Sequence, residues 1–263
     1  MALLLSVLEQ GMIYGILALG VYITYKILDF PDLTVDGSFP FGAAITVRLI
    51  NGFGVPAILT LPIAFLGGAL VGICTGLIHV KLKVRDLLSG IIMMTGLYTI
   101  NLWVAGSGYV AIFDKENIFN NSFVNSITPG FLVNFKNVII IFLITMVAKY
   151  LLDWYMSTKS GFLLRAVGDN DTIVTSLGVD KGLVKIVGLS IANGLVSLSG
   201  CIYAQQQRSF EISIGTGAVV IGLASVIIGT SLFKKVTFFR VTSSVVVAVS
   251  YTHLRAHETG AYL

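Results

Sequence analysis

The chain has 263 residues, 56% of them hydrophobic and only 11% charged, with a formal net charge of +4 and a mean hydropathy of +0.91. A soluble domain carries about 25% charged residues, so this composition excludes a globular cytosolic enzyme and defines an all-α integral membrane protein, a polytopic helical bundle. Cys74 and Cys201 lie in apolar or small-residue surroundings, are too few for a metal site or a disulfide framework, and read as two small buried hydrophobes.

The opening stretch MALLLSVLEQGMIYGILALG lacks a basic n-region and a small-residue cleavage site, so it reads as a retained helix rather than a signal peptide. Spans of membrane-crossing character follow at 10–28, 55–79, 87–106, 135–152, 183–205 and 213–232, with an incomplete one at 236–249 and a shorter apolar piece at 39–50. Backbone polar groups find no partner in lipid, so each span is expected to be helical.

Between the first span and the piece at 39–50 stands ILDFPDLTVDGSFPFGAA (27–44), with three aspartates, two prolines and two glycines. Pro31 and Pro40 each remove a backbone donor and are expected to prevent a continuous helix. The piece at 39–50 is too short to cross alone. The break is therefore expected within the membrane's thickness, as a broken or re-entrant segment of the kind that lines transporter cavities. An ordinary aqueous loop is the alternative. Acidic groups at that depth are functional by default, yet Asp29, Asp32 and Asp36 are also suited to capping half-helices.

Basic residues collect on the cytoplasmic side. They form three clusters, KLKVR at 81–85, Lys149 to Lys185, and Lys234, Lys235 and Arg240, each separated from the next by two spans. Segment 107–134 is Asn-rich and nearly free of Lys and Arg, which makes it external. The number of crossings before residue 55 stays open.

The cytoplasmic segment 155–200 carries an apolar patch, Phe162, Leu163, Leu164, Ala166 and Val167, beside Arg165. Asp169, Asn170 and Asp171 offer caps for a short helix through Leu177, closed by Gly178. An apolar-plus-basic helix on a cytosolic loop is a docking element for a soluble partner, where a plain solvated connector would be more uniformly polar. The chain re-enters the membrane with Ser190, Ala192, Gly194, Ser197, Ser199 and Gly200, a density of small residues that lets helices pack closely. Asn193 stands out there, because an amide inside a span needs a partner from another helix or from a solute.

No Gly-x-x-x-x-Gly-Lys-Ser/Thr loop is present, so the chain cannot itself couple ATP. His79 lies beside the Lys81 cluster as an interfacial residue. His253 and His257 have the i, i+4 spacing of a helical metal pair without the Glu-x-x-His frame. No metal, cofactor or nucleic-acid site is expected, and the aromatics suit interfacial anchoring.

The pairing of GMIYGILALGVYITYKILDFPDLTVDGSFPFGAA with SGFLLRAVGDNDTIVTSLGV resembles the membrane subunits of bacterial ABC importers of the branched-chain amino-acid permease type. The DLTVDGSF variant is similar to the tryptophan/tyrosine-type or unspecified amino-acid uptake subgroup. The resemblance covers 8–248. It implies a multi-pass protein of the bacterial cytoplasmic membrane in which two permease subunits form the path, a cytoplasmic ATP-binding subunit docks on 157–181, and an extracytoplasmic binding protein delivers the solute. Gly161, Arg165, Ala166, Gly168 and Gly178 match its docking-loop pattern, to which the apolar patch adds Phe162 and Leu163. Asp32, Thr34, Asp36 and Gly37 match its break after the first span.

The expected function is translocation of an amino acid or similar small polar solute by alternating access, with Asp32, Thr34, Asp36, Ser38 and Asn193 as path residues and hydrolysis in a separate chain. The alternatives are a proton-coupled transporter using Asp32 and Asp36, and a non-transporting scaffold. Members of that family continue with further membrane helix past this point. The codons that spell VSYTHLRAHET resemble a transposon-end sequencing adapter. Residues 1–248 are therefore expected to be a C-terminally truncated permease domain and 249–263 a non-native tail, with no role for His253 or His257.

Overall fold

Helix α1 (Ala2–Val21) is apolar beyond Gln10, and Ile13, Ile16, Leu17 and Leu19 are fully buried. A helix without a polar face belongs in the middle of a membrane bundle. It passes directly into a π-helical turn, Tyr22–Ile27, and ends where Asp29 adopts a left-handed conformation (φ 51°) and Phe30 N–H donates to Thr24 O at 2.9 Å. The computed structural model describes residues 2–113, 115–121, 135–176, 178–232 and 242–250. Leu177, the basic cluster at 234–240 and the adapter-like residues 251–263 lie outside these.

Helix α2 (Val35–Phe53) corrects one expectation. Pro40 does not interrupt it, and 39–50 is the inner part of an unbroken 19-residue helix. That helix is about 28 Å long at 1.5 Å per residue, close to the roughly 30 Å of bilayer hydrocarbon. Pro40 sits in the second turn, where its missing N–H releases only the Asp36 carbonyl, a loss that a surrounding bundle accommodates. The break after the first span lies at 28–34, so before residue 55 the chain holds two helices of membrane-crossing length.

Beyond the left-handed cap at Gly54 and a short 3-10 turn (Ala57–Leu59) come α3 (Thr60–Lys81) and α4 (Asp86–Ala105). Strand β1 (Tyr109–Ala111) follows, then α5 (Lys136–Met156), α6 (Lys159–Asp169) and α7 (Asp171–Ser176). Helix α8 (Lys181–Gln207) leads into β2 (Ser209–Glu211), a 3-10 turn (Ile212–Gly215), α9 (Ala218–Leu232) and a last described helix, α10, at 242–250. The strands pair antiparallel, with Val110 opposite Phe210. Among the described residues, six helical segments are long and apolar enough to cross a membrane. Helix α2 is more polar than these and packs inside them.

Helix α8 is the centre, packed most heavily against α3, α2 and α1. Its small residues do what their density suggests: Ser197 Oγ donates to Ala64 O (2.7 Å) on α3 and Ser199 Oγ donates to Ile13 O (2.6 Å) on α1. Helices α2 and α8 approach backbone to backbone. A Cβ on Gly42 would lie 1.8 Å from Ser197 O, and one on Gly200 would lie 1.9 Å from Phe39 O. Lipid supplies no hydrophobic drive between helices, so such close packing and interhelical hydrogen bonds hold the bundle.

The basic loops around Lys81 and Lys159 mark one end of the bundle and the two-stranded sheet the other, which the charge rule makes cytoplasmic and external respectively. Phe30 meets the His79 ring edge-on at 5.1 Å, placing 28–34 toward the basic end. Two side chains depart from the expected picture. Lys149 is buried within α5 (9% exposed), paired with Asp153 at 3.5 Å, because its position faces the bundle rather than the cytosol. Cys74 is exposed on the outer face of α3, while Cys201 is buried.

Gly42→Val should lower the melting temperature of the purified protein markedly, since overpacking costs about 1–3 kcal/mol. Gly96→Ala, at a site with nothing within 4 Å, should leave it unchanged or slightly raised. A thermal-shift comparison of the two checks the α2–α8 contact.

Candidate functional site

Four of the five residues singled out in the sequence meet in one buried network. The Asp32 carboxylate accepts the Thr34 N–H at Oδ1 (2.9 Å), making the turn that starts α2, and Asn193 Nδ2 at Oδ2 (2.8 Å). Asn193 Oδ1 accepts from Ser38 Oγ at 2.7 Å, and Asn193 Nδ2 also donates to Leu189 O at 3.1 Å. The Thr34 and Thr75 hydroxyls stand 3.1 Å apart; Thr75 donates to Val71 O, which leaves Thr34 as the donor between them. All five side chains are buried, Asp32 at 3% exposure and the others at zero. Every carboxylate and amide oxygen in the set is matched, so the network is a sealed joint between α2, α8 and α3.

Asp36 faces elsewhere. Its Oδ1 accepts from Val219 N (2.7 Å) and its Oδ2 from Gly217 N (3.2 Å), so a carboxylate on α2 caps the N-terminus of α9. The first amides of a helix lack intrahelical partners and carry partial positive charge. Asp29 is exposed, outside both arrangements. Helix α9 has only 15 residues, about 22 Å at 1.5 Å per residue. The chain therefore descends in irregular form from the external sheet through 212–217 to meet Asp36 inside the bundle.

Beside Asp36 lies a cavity of about 630 Å³, lined by Gly37 and Pro40 of α2, by Met94, Thr95, Tyr98 and Asn101 of α4, and by Ile212, Ser213 and Thr216. Asn101 is fully buried; its Nδ2 donates to Gly37 O at 3.1 Å and its Oδ1 has no hydrogen-bond partner. The α4 residues were passed over in the sequence. Their signal was there, since Thr95, Tyr98 and Asn101 at i, i+3 and i+6 put three polar groups on one face of an apolar span. A second groove of about 660 Å³, between α3, α5 and α8, is lined by aliphatic and aromatic side chains such as Phe65, Leu151, Trp154 and Leu195, as a lipid-facing surface is.

The loop patch folds as α6, and the short helix expected after it is α7. Thr158 caps α6, accepting from Gly161 N, and Asn170 accepts from Thr172 N at the start of α7. Gly178 has φ 76°. Gly161, Leu164 and Val167 are buried, Leu163, Ala166 and Gly168 are intermediate, and Phe162 (60% exposed), Arg165 and Asp169 point outward. The inner face rests on the membrane bundle: a Cβ on Gly168 would lie 1.7 Å from Ile27 O. Among the described residues no group of His, Cys, Asp and Glu side chains forms a metal-binding cluster.

A multi-pass bundle with a polar cavity at an internal helix start, and an amphipathic helix presented at its basic end, defines a membrane transport subunit. Residues 3–256 match the family described as "Branched-chain amino acid transport system / permease component", and the chain belongs to that family, as a permease subunit of the ABC-transporter type in the cell membrane. It is 42% identical over 245 residues to the tyrosine transport system permease protein of Clostridioides difficile, covering 93% of this chain and 78% of that one. It is 26% identical to a probable branched-chain amino acid transport permease protein of Methanocaldococcus jannaschii (82% and 70% covered). It is also 26% identical to the ribose import permease protein of Escherichia coli K12 (87% and 70% covered). No solved structure matches it.

Asn193→Leu should destabilise the protein by about 3 kcal/mol or more, because it leaves the buried Asp32 carboxylate short of a donor. Ser38→Ala should cost about 1 kcal/mol. In a double-mutant cycle read by thermal unfolding the two should be non-additive by at least about 0.5 kcal/mol, whereas additivity would place them in separate environments.

Proposed function

We infer that this chain is the translocating subunit of an ATP-driven importer for an amino acid or similar small polar solute. It works with a cytoplasmic ATP-binding subunit, a second permease subunit and an extracytoplasmic binding protein. The observation that carries this reading is α6: a helix anchored to the bundle by Leu164, Val167 and Gly168, whose Phe162 and Arg165 stand exposed at the basic end. An apolar ring beside a fixed cation, held on a rigid element, is the composition of an interaction anchor. The sequence has no nucleotide-binding loop, which assigns hydrolysis to the partner.

Amino-acid transport is the reading favoured by the relative of highest identity reported above, whose name is a tyrosine transport permease. The proton-coupled and scaffold alternatives find no support in the family relationship. The two polar arrangements then take different roles. Asp32, Thr34, Ser38 and Asn193 hold α2 to α8 and move as one body, and Asp36 lines the path.

Arg165→Glu and Phe162→Ala should reduce ATP-driven uptake in membrane vesicles by tenfold or more, and weaken recovery of the ATP-binding subunit in pull-downs. Membrane insertion and melting temperature should stay as in wild type, because both side chains face outward. Full retention of the ATP-binding subunit by Arg165→Glu would remove α6 as the docking element.

A further inference from the structure

The loop between α3 and α4 holds three cations at one level of the membrane. Only residues 82–85 join the two helices, and the loop is closed from within, since His79 Nδ1 donates to Val84 O at 2.9 Å. The His79 ring in turn meets the buried Phe30 edge-on, so the loop is fastened to the turn that precedes α2. On this frame the side chains of Lys81, Lys83 and Arg85 are exposed, and Asp86 is the one acid among residues 79–88. Among the described residues none of the three cations forms an ion pair; the salt bridge found there joins Lys149 to Asp153.

Lys83 adopts a left-handed conformation, φ 54°, where glycine is the unstrained residue. Strain of this kind, at a side chain that the described residues do not engage, points to a contact outside the chain. The surroundings give the kind of contact. Leu82, Leu87 and Leu88 stand 69%, 48% and 50% exposed among the cations. From them the exposed outer faces of α3, with Leu70 and Leu77, and of α4, with Ile91 and Ile92, run into the hydrocarbon. The cations thus crown two lipid-facing strips, which acyl chains cover and a soluble protein does not reach.

We propose that this loop binds an anionic phospholipid, its phosphate held among Lys81, Lys83 and Arg85 and its acyl chains lying on Leu82, Leu87, Leu88 and the outer faces of α3 and α4. Clustered basic residues at the cytoplasmic end of membrane helices attract anionic headgroups. The Arg85 fork matches two phosphate oxygens, and each lysine adds a compact charge on a flexible stem. A zwitterionic headgroup brings its own cation and gains little from the cluster. Bound lipid braces the loop and, through His79 and Phe30, the turn that carries Asp32. The inference depends on how the bundle lies in the membrane and is independent of what the permease carries.

The test is titration of phosphatidylglycerol into the full purified chain in detergent, read by native mass spectrometry and thermal unfolding. Saturable binding and a raised melting temperature are expected, and both should weaken in high salt, which screens exposed charges. Phosphatidylcholine with the same acyl chains and free glycerol 3-phosphate should do neither. Lys83→Gly removes one cation and also the left-handed strain. It should therefore weaken phosphatidylglycerol binding about fivefold while the lipid-free protein melts at or above the wild-type temperature. The triple variant Lys81→Gln, Lys83→Gly, Arg85→Gln should weaken binding about a hundredfold, and Lys159→Gln, an exposed cation of α6, should leave it unchanged. The inference is overturned if phosphatidylcholine binds as tightly, if glycerol 3-phosphate alone reproduces the shift, if Lys159→Gln weakens binding as much as Lys83→Gly, or if the triple variant binds as wild type. A triple variant that keeps its lipid but no longer recovers the ATP-binding subunit in pull-downs overturns it too, and gives the loop to that partner.

Discussion

The Asn193 carboxamide is the joint on which this bundle depends. Its two ends are used in opposite senses, an N–H toward Asp32 and a carbonyl oxygen toward Ser38, so one side chain of α8 grips both the turn before α2 and the first turns of α2 itself. A neutral amide does this where an ion pair would carry the larger desolvation cost. The grip also explains how α2 tolerates its sequence. A helix with Asp36, Ser38 and Pro40 near one end and Thr46 in its middle is poorly suited to lipid, and it survives by being enclosed between α8, α3 and α4. The glycine contacts at Gly42 and Gly200 bring the two backbones close enough for these short side chains to reach.

A second consequence is the placing of charge. Asp36 lies four residues beyond Asp32, in the first turn of α2, yet faces away from the joint, toward the start of α9. The two acids thus divide between a sealed interior and an open recess. The stretch 212–217 comes from the external sheet to meet the first turn of α2 at this level. Its end is satisfied from α2: the Asp36 carboxylate takes the Gly217 and Val219 amides. Irregular backbone at membrane depth is stable only under such protein-internal pairing.

Much of this was legible in the sequence, and the limits have physical causes. Spans of lipid-facing helix announce themselves by composition, so α3, α4, α5, α8 and α9 were found within a few residues. Helix α2 is longer than expected because proline and aspartate argue against helix locally, while the enclosure that overrides them comes from α3, α4 and α8, with Asn193 lying 155 positions from Ser38. Asn193 was noticed because an amide in a span is conspicuous, but its partner could not be named, since pairing is set by helix packing and not by spacing. Lys149 was misplaced for a related reason: charge counting assigns a lysine to water, and the nearby Asp153 four residues on permits burial instead. The α4 face of Thr95, Tyr98 and Asn101 was missed because hydroxyls and a single amide barely lower a span's hydropathy. The inward direction of Leu164 and Val167 follows from the helical period only once α6 is known to begin at Lys159.

The contact of Gly168 with the Ile27 carbonyl has a mechanical meaning. Where two helices touch through side chains, a displacement of one is partly absorbed by rotamer changes before it reaches the other's main chain. Here α6 rests directly on backbone, at the carbonyl of the last residue of the π-turn. A push on α6 therefore has no compliant element between it and the hairpin that leads into Asp32. A displacement of the loop would thus reach the turn before α2 through one carbonyl oxygen.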